Sequence, residues 1–322
     1  MRVEQVSSDQ MIEYLARMPE AYFLFESAQL EEADYDHRLA QSNHELPIKK
    51  TARDLINEID PYTIDTLLWE DTVFNEFKSS GPIVCQYHQG SRIPEAMFAM
   101  WGNWNVGLLI DAVSEISLIQ HLRSLLMVQM PQDGEVRYRL QETRKLAGII
   151  NSLCDEDRIS EFLGPIKSIC WQQNCGPEKT FMRVKNPSVH ETQNRTGWFS
   201  FSEEEKKRIQ ASSLAWFKRS ILNSILKDIE TDNSKTHRLN KFTPQQLEQI
   251  IEKGYAAALL NNISSQLGVT FFVRAHMLHP EFMTDLVTKQ IVTHESWSEK
   301  RKIHALKAML KSHLEQAHVD TC

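Results

Sequence analysis

The chain has 322 residues, 41% hydrophobic and 25% charged, a length that buries a sizeable core and a composition that excludes disordered and fibrous architectures. A net charge of -7 and a pI near 6.0 leave no global basic field for a phosphate backbone, so nucleic acid is not expected as a partner. No apolar run approaches bilayer-spanning length and residues 1–20 lack a continuous apolar stretch, so a cytoplasmic protein without a membrane partner is expected.

In chain order, the first half alternates short apolar runs with helical patterns, as when helices cover a sheet. Strands are expected at Ala21 to Phe25, Pro82 to Tyr87, Val106 to Ile110, Leu126 to Met130, Glu135 to Leu140 and Pro165 to Cys170. Pro131-Gln132-Asp133-Gly134 carries strong turn chemistry, since proline presets φ and glycine permits the positive value, so residues 126–140 read as a β-hairpin. Gly164-Pro165 should end one helix and aim the chain into a strand, a structural task.

Residues 172–198 are polar, contain Gly176, Pro177 and Pro187, and show no sustained period; they are the expected linker. Beyond it, capping boxes signal helix starts at Ser202 with Glu205, Thr243 with Gln246, and Ser296 with Glu299. Leu214, Phe217, Ile221, Leu222, Ile225, Leu226 and Ile229 form a broad apolar helix face. The last helix sets Ile303, Leu306, Leu310 and Leu314 against Lys300, Arg301, Lys302, Lys307 and Lys311, a solvated face or a dock for an acidic partner. The expected fold is α+β: an N-terminal lobe with a mixed sheet covered by helices over residues 1–171, the linker 172–198, and an all-helical lobe over 199–322.

Reaction machinery is hard to find. There is no glycine-rich phosphate loop, no GxGxxG and no GxSxG elbow. His44-Glu45 and His294-Glu295 lack the second histidine of a zinc protease helix, and His276 with His279 supplies only two ligands. Cys85, Cys154, Cys170, Cys175 and Cys322 are an odd, scattered set, read as reduced thiols; the Cys170–Cys175 spacing is not that of a zinc knuckle. No metal, no cofactor and no catalytic residue is therefore expected.

The stretch from Gly81 to Trp171 resembles the type VI secretion effector adaptor chaperones, the Tap or Tec family with its VasW-like members. The elements occur in the family's order: Gly81-Pro82-Ile83-Val84, Trp101-Gly102, the helix ending His121-Leu122-Arg123-Ser124-Leu125-Leu126, Pro131-Gln132-Asp133-Gly134, Arg137-Tyr138-Arg139-Leu140, and Phe162-Leu163-Gly164-Pro165-Ile166. Tyr22-Phe23-Leu24-Phe25 looks like the family's opening strand, with Glu26 where an aspartate usually follows. After the hairpin the family's Asp-Pro step is missing, and the chain reads Gln141-Glu142-Thr143. The resemblance implies a non-enzymatic adaptor that holds a cognate toxic effector in the cytosol and promotes its loading onto the type VI spike protein.

On the residues themselves, a helix around Ile116 to Leu126 gathers Leu118, Ile119, Leu122, Leu125 and Leu126 on one side and puts His121 and Arg123 at its margins. Arg123 there either braces the fold or clasps a partner's acidic group. Trp101 and Trp104 flank Gly102, as a packed turn or as an interface anchor. Trp101, Trp104, His121, Arg123 and Arg139 are the expected partner-binding residues, and Gly81, Pro82, Gly102, Gly164 and Pro165 the structural ones. The competing functions are an enzyme with an unrecognised acid/base site and an immunity-type protein that neutralises a toxin without delivering it.

Overall fold

The structure, a computed structural model, describes residues 3–18, 20–41, 46–99, 106–174, 179–191, 195–231, 242–278, 282, 285–294 and 296–319. The chain divides into two compact units, Met1–Ser213 and Leu214–Cys322.

The first unit is built on a seven-stranded sheet. Its strands are β1 (Val3–Val6), β2 (Ala21–Phe25), β3 (Asp65–Leu67), β4 (Ile83–Gln86), β5 (Gly107–Ala112), β8 (Ile166–Asn174) and β9 (Lys179–Lys185), in the order β1-β9-β8-β5-β2-β4-β3. Every pairing in it is antiparallel. Both faces are covered, which is why the interior strand β2 is apolar and buried at every position instead of alternating. One face carries Tyr22, Leu24, Val84, Leu108, Ile110, Ile169 and Trp171. Against it pack α5 (Glu115–Ser124), α6 (Thr143–Ser152) and α7 (Glu156–Leu163), through Leu118, Leu122, Leu146, Ile150, Ile159 and Phe162. The opposite face, with Phe23, Phe25, Ile83, Cys85, Leu109 and Cys170, is covered by α1 (Ser8–Arg17), α2 (Ser27–Gln41), α3 (Ala52–Ile59) and α4 (Ile93–Ala99).

The expected hairpin forms as a separate ribbon of β6 (Met127–Met130) and β7 (Gly134–Arg137), in register from Met127 opposite Arg137 to Met130 opposite Gly134. Its turn has positive φ at Gly134 (73°), as expected of the glycine, and also at Gln132 (67°), which the turn residues did not indicate.

The expected boundaries shift. Residues 172–174 and 179–185, taken as linker, complete β8 and form β9, and β9 alone joins β1 to the sheet. The following residues are pinned too: Asn186 Nδ2 donates to Gly164 O (3.0 Å) and Ile166 O (2.8 Å), and His190 N–H donates to Gly164 O (3.0 Å). Residues 197–201 run beside β6, with Gln129 N–H donating to Phe199 O at 2.8 Å and Phe201 N–H to Gln129 O at 2.9 Å. Phe199 and Phe201 are buried against Phe162 and Tyr138, so residues 199–213 belong to the α+β unit and not to the helical one. The physical reason is that Phe199 and Phe201, just past the polar stretch, anchor the chain there, each contributing about 2–3 kcal/mol when buried.

Helix α8 (Glu203–Thr231) starts at the expected capping box: Ser202 N–H donates to Glu205 Oε2 at 2.8 Å and Glu205 N–H to Ser202 Oγ at 3.1 Å. The second unit contains the rest of α8 with α9 (Pro244–Leu260), α10 (Gln266–Leu278), α11 (Leu286–Thr293) and α12 (Glu299–Val319). Its core gathers Ile221, Ile225, Leu247, Ile251, Phe272, Val273, Ile303 and Leu306. Thr243 and Gln246 form the second expected box. The third does not form. Ser298 Oγ, not that of Ser296, accepts from the first turn of α12 (Arg301 N–H, 3.4 Å), and the Glu299 carboxylate accepts from Ser264 N–H (3.2 Å) and Ser265 N–H (3.1 Å) ahead of α10. A carboxylate at a helix start serves whichever orphan donors come within reach.

Candidate partner-binding site

Helix α5 is the centre of the region the motifs single out. Ser114 Oγ accepts from Ser117 N–H at 3.2 Å and fixes its start, and its apolar face turns Leu118, Ile119 and Leu122 into the core.

His121 goes with them. It is 1% exposed and its Nε2 donates to Phe162 O at 3.0 Å, so the expectation that it meets a partner does not hold. The reason is Gly164, which ends α7 with φ at +54° and lies against the imidazole: a Cβ there would come within 2.5 Å of Cε1. Burial pushes the His121 pKa down to about 4, against the opposing effect of the Phe162 hydrogen bond, so the ring is neutral at pH 7. The next turn extends this brace: Ser124 Oγ donates to His121 O (2.7 Å) and accepts from Trp198 Nε1 (2.9 Å).

Arg123 is half-buried and its Nε donates to Leu68 O at 3.2 Å, the bracing alternative. Leu68 N–H in turn donates to Pro82 O at 2.9 Å, and Gly81 lets the Trp69 ring approach so closely that a Cβ would meet it at 2.5 Å. Ser27 Oγ donates to Gly81 O. Gly81 and Pro82 thus fasten Trp69, and Pro165 O accepts from Val113 N–H at 3.1 Å. Trp101, Gly102 and Trp104 lie outside the described residues.

Arg139 is exposed. Along Arg137-Tyr138-Arg139-Leu140 the burial alternates, with Tyr138 and Leu140 inside and both arginines outside, the period-two signature of an extended segment on a core. The Arg137 guanidinium stands 5.6 Å from the Trp69 ring centroid and 5.9 Å from that of Phe74, a cation–aromatic surface absent from the expected partner-binding set. The repeated arginine at two-residue spacing was the signal for it.

Two further links hold the frame. Gln141 Nε2 donates to Glu26 Oε2 at 2.5 Å, both side chains buried, and so ties the residue after β2 to the segment that leads into α6. Arg158 meets the buried Glu205 at 3.2 Å and lies 4.4 Å over the Phe199 ring. Burial alone would raise the Glu205 pKa, but Arg158 and the N–H groups of Ser202 and Cys154 outweigh it and hold the carboxyl below the usual range.

The two buried thiols, Cys85 and Cys170, are not activated. Burial pushes the Cys170 thiol up to about 12 and that of Cys85 higher still, and Cys154 is exposed. Among the described residues no group of three His, Cys, Asp or Glu side chains stands where it could hold a metal ion, and no helix is long and apolar enough to cross a membrane. His276 is partly buried; His44, Glu45, Cys175, His279, Glu295 and Cys322 lie outside the described residues.

No curated protein and no solved structure matches the chain. A family model described as a domain of unknown function (DUF4123) matches residues 48–160, from just before α3 into α7. That stretch contains Gly81-Pro82, α5, the hairpin and the Arg137/Arg139 surface, while Tyr22–Phe25 and Phe162–Ile166 fall outside it; the chain is similar to this family over that segment.

Proposed function

We propose that the protein is an adaptor that binds a cognate type VI secretion effector in the cytosol and promotes its loading onto the spike protein, without catalysing a reaction. The observation that carries this reading is the family match over residues 48–160, to a domain associated with type VI effector adaptors, coinciding with most of the ordered motifs. An adaptor needs surface, not a reactive group. Support comes from the arginines of the hairpin arm, Arg139 exposed and Arg137 laid across Trp69 and Phe74, because arginine and aromatic side chains concentrate binding energy at interfaces.

The test is co-purification of the tagged full chain from type VI-active cells, read beside delivery of each effector by a strain lacking it. The expected result is enrichment of one effector, spike protein recovered only with that effector, and loss of delivery of that effector alone. Unchanged delivery of every effector would overturn the reading. A role for the helical unit in holding cargo is tested by truncation after Ser213, because a cut at 199 would strip Phe199, Phe201 and Glu205 from the other unit.

A further inference from the structure

The sheet ends in β3, and the hydrogen bonds there reveal which backbone groups point outward. Gln86 N–H donates to Ile64 O (3.0 Å) and Leu68 N–H to Pro82 O (2.9 Å), so Ile64, Thr66 and Leu68 turn toward β4. The alternate groups, the N–H and C=O of Asp65 and the N–H of Leu67, therefore face away from the sheet, where the described residues supply no further strand. Leu67 O is used by Glu70 N–H at 3.1 Å. The far edge, β1, is blunted by ion pairs of Glu4 with Arg183 and Lys185. At β3 only one face is blunted, by Arg53 paired with Asp65 at 3.0 Å.

The other face is apolar and open. Ile64 stands opposite Gln86, in the cross-strand row of Tyr22 and Ile110, yet it is 62% exposed, and Ile116, in the first turn of α5, is 71% exposed. Thr66 Oγ1 donates to Glu115 Oε1 at 3.4 Å, which places that turn beside β3. Two carboxylates border the patch, Glu115 and Glu20, the latter accepting from Tyr22 OH at 2.6 Å, and neither has a cation partner among the described residues. The nearby cations are engaged: Arg53 with Asp65, Lys78 with Glu70, Arg123 with Leu68 O. A second copy pairing edge to edge would bring these carboxylates toward their own kind, which disfavours self-association.

We propose that β3 is a docking edge that takes an extended segment of a partner protein as an additional strand, one that presents apolar and basic side chains two residues apart on the same face, the apolar ones against Ile64 and Ile116 and the basic ones toward Glu115 and Glu20. Backbone bonds to Asp65 and Leu67 supply the pairing, and side-chain alternation supplies the choice of partner. The proposal rests on the adaptor reading for the partner's identity but not for the edge itself.

The probe is a blocked heptapeptide with valine and lysine in turn at its odd positions and threonine between them, titrated into the full chain and followed by amide resonances, with glutamate in place of lysine as control. Expected are saturable shifts at Asp65 and Leu67, at least tenfold weaker binding of the glutamate peptide, at least tenfold loss in Leu67→Pro and about threefold loss in Glu115→Gln. Leu67→Pro removes an outward donor and leaves the β3–β4 bonds intact. Should it shift the thermal midpoint, Ile64→Ser with Ile116→Ser takes its place, with the same tenfold loss expected. No saturable binding, equal binding by the variants, or a dimer that Leu67→Pro dissolves would overturn the proposal. An effector that co-purifies equally with Leu67→Pro overturns the edge and leaves the adaptor reading standing; peptide binding without any effector does the reverse.

Discussion

The two units are held by different kinds of contact. In the α+β unit, polar links between distant parts of the chain lie in or against the core: His121 to Phe162 O, Gln141 to Glu26, Trp198 to Ser124, and Arg158 to Glu205. In the helical unit an aliphatic and aromatic cluster forms the interior, and polar groups act mostly at helix ends: Thr243 with Gln246, Asp285 on the N–H groups of Val287 and Thr288, and Glu299 on Ser264 and Ser265. Buried polar links are costly when half satisfied, so the first unit depends on particular atoms, while the second depends on apolar volume and caps.

The largest expected effect falls on the helical unit. Phe272 is fully buried there, and Phe272→Ala should cost about 3–5 kcal/mol, lowering hydrogen-exchange protection in α9 to α12 while the sheet amides keep theirs. Equal loss in both units would mean that they unfold as one. Next comes Gly164→Ala, which adds a Cβ against the His121 ring at positive φ; about 2–4 kcal/mol should be lost in urea unfolding of the α+β unit. Tolerance of alanine there would show that the imidazole can move, and that this unit is less exacting than its contacts imply.

A third test uses pH. The folded-state pKa of His121, about 4, lies below its ordinary 6.5, so the unfolded chain takes the proton first. Stability from this group is complete above 6.5 and declines as pH falls toward 4, by roughly 3 kcal/mol in all. Between pH 6.5 and 5 His121→Gln should flatten the stability curve, leaving the opposed contributions of His88, whose pKa is raised by Asp60, and His276, whose pKa is lowered by burial. A slope unchanged by the substitution would remove His121 from the account. The smallest effect is expected for Glu299→Ala, about 1 kcal/mol on the helical unit, because it frees Ser264 and Ser265 N–H groups that water can reach. A markedly larger loss would reveal a dependence on one atom in the unit that otherwise lacks it.

The six expected strands and the hairpin were legible because apolar runs bounded by proline and glycine are local signals, and the capping boxes at Ser202 and Thr243 formed for the same reason. Strand β9 was not legible. Among its described side chains only Phe181 and Val184 are buried, so its sequence looks polar, and it is held between β8 and β1, the latter more than 150 residues away in the chain. Glu299 was misassigned because its carboxylate is captured by a loop 34 residues earlier in the chain.

Spacing and backbone preference in the sequence set the helices' apolar faces, the turn closed by Gly134 and the α+β class. Tertiary structure alone decided which marginal polar residues went inside. His121 and Arg123 stand two positions apart on one helix; the first is buried because Gly164 and Phe162 offer it space and an acceptor, the second stays half in water because its acceptor, Leu68 O, lies at the edge. Spacing fixes the direction in which a side chain points, and only the packed neighbours decide whether it meets protein or solvent there.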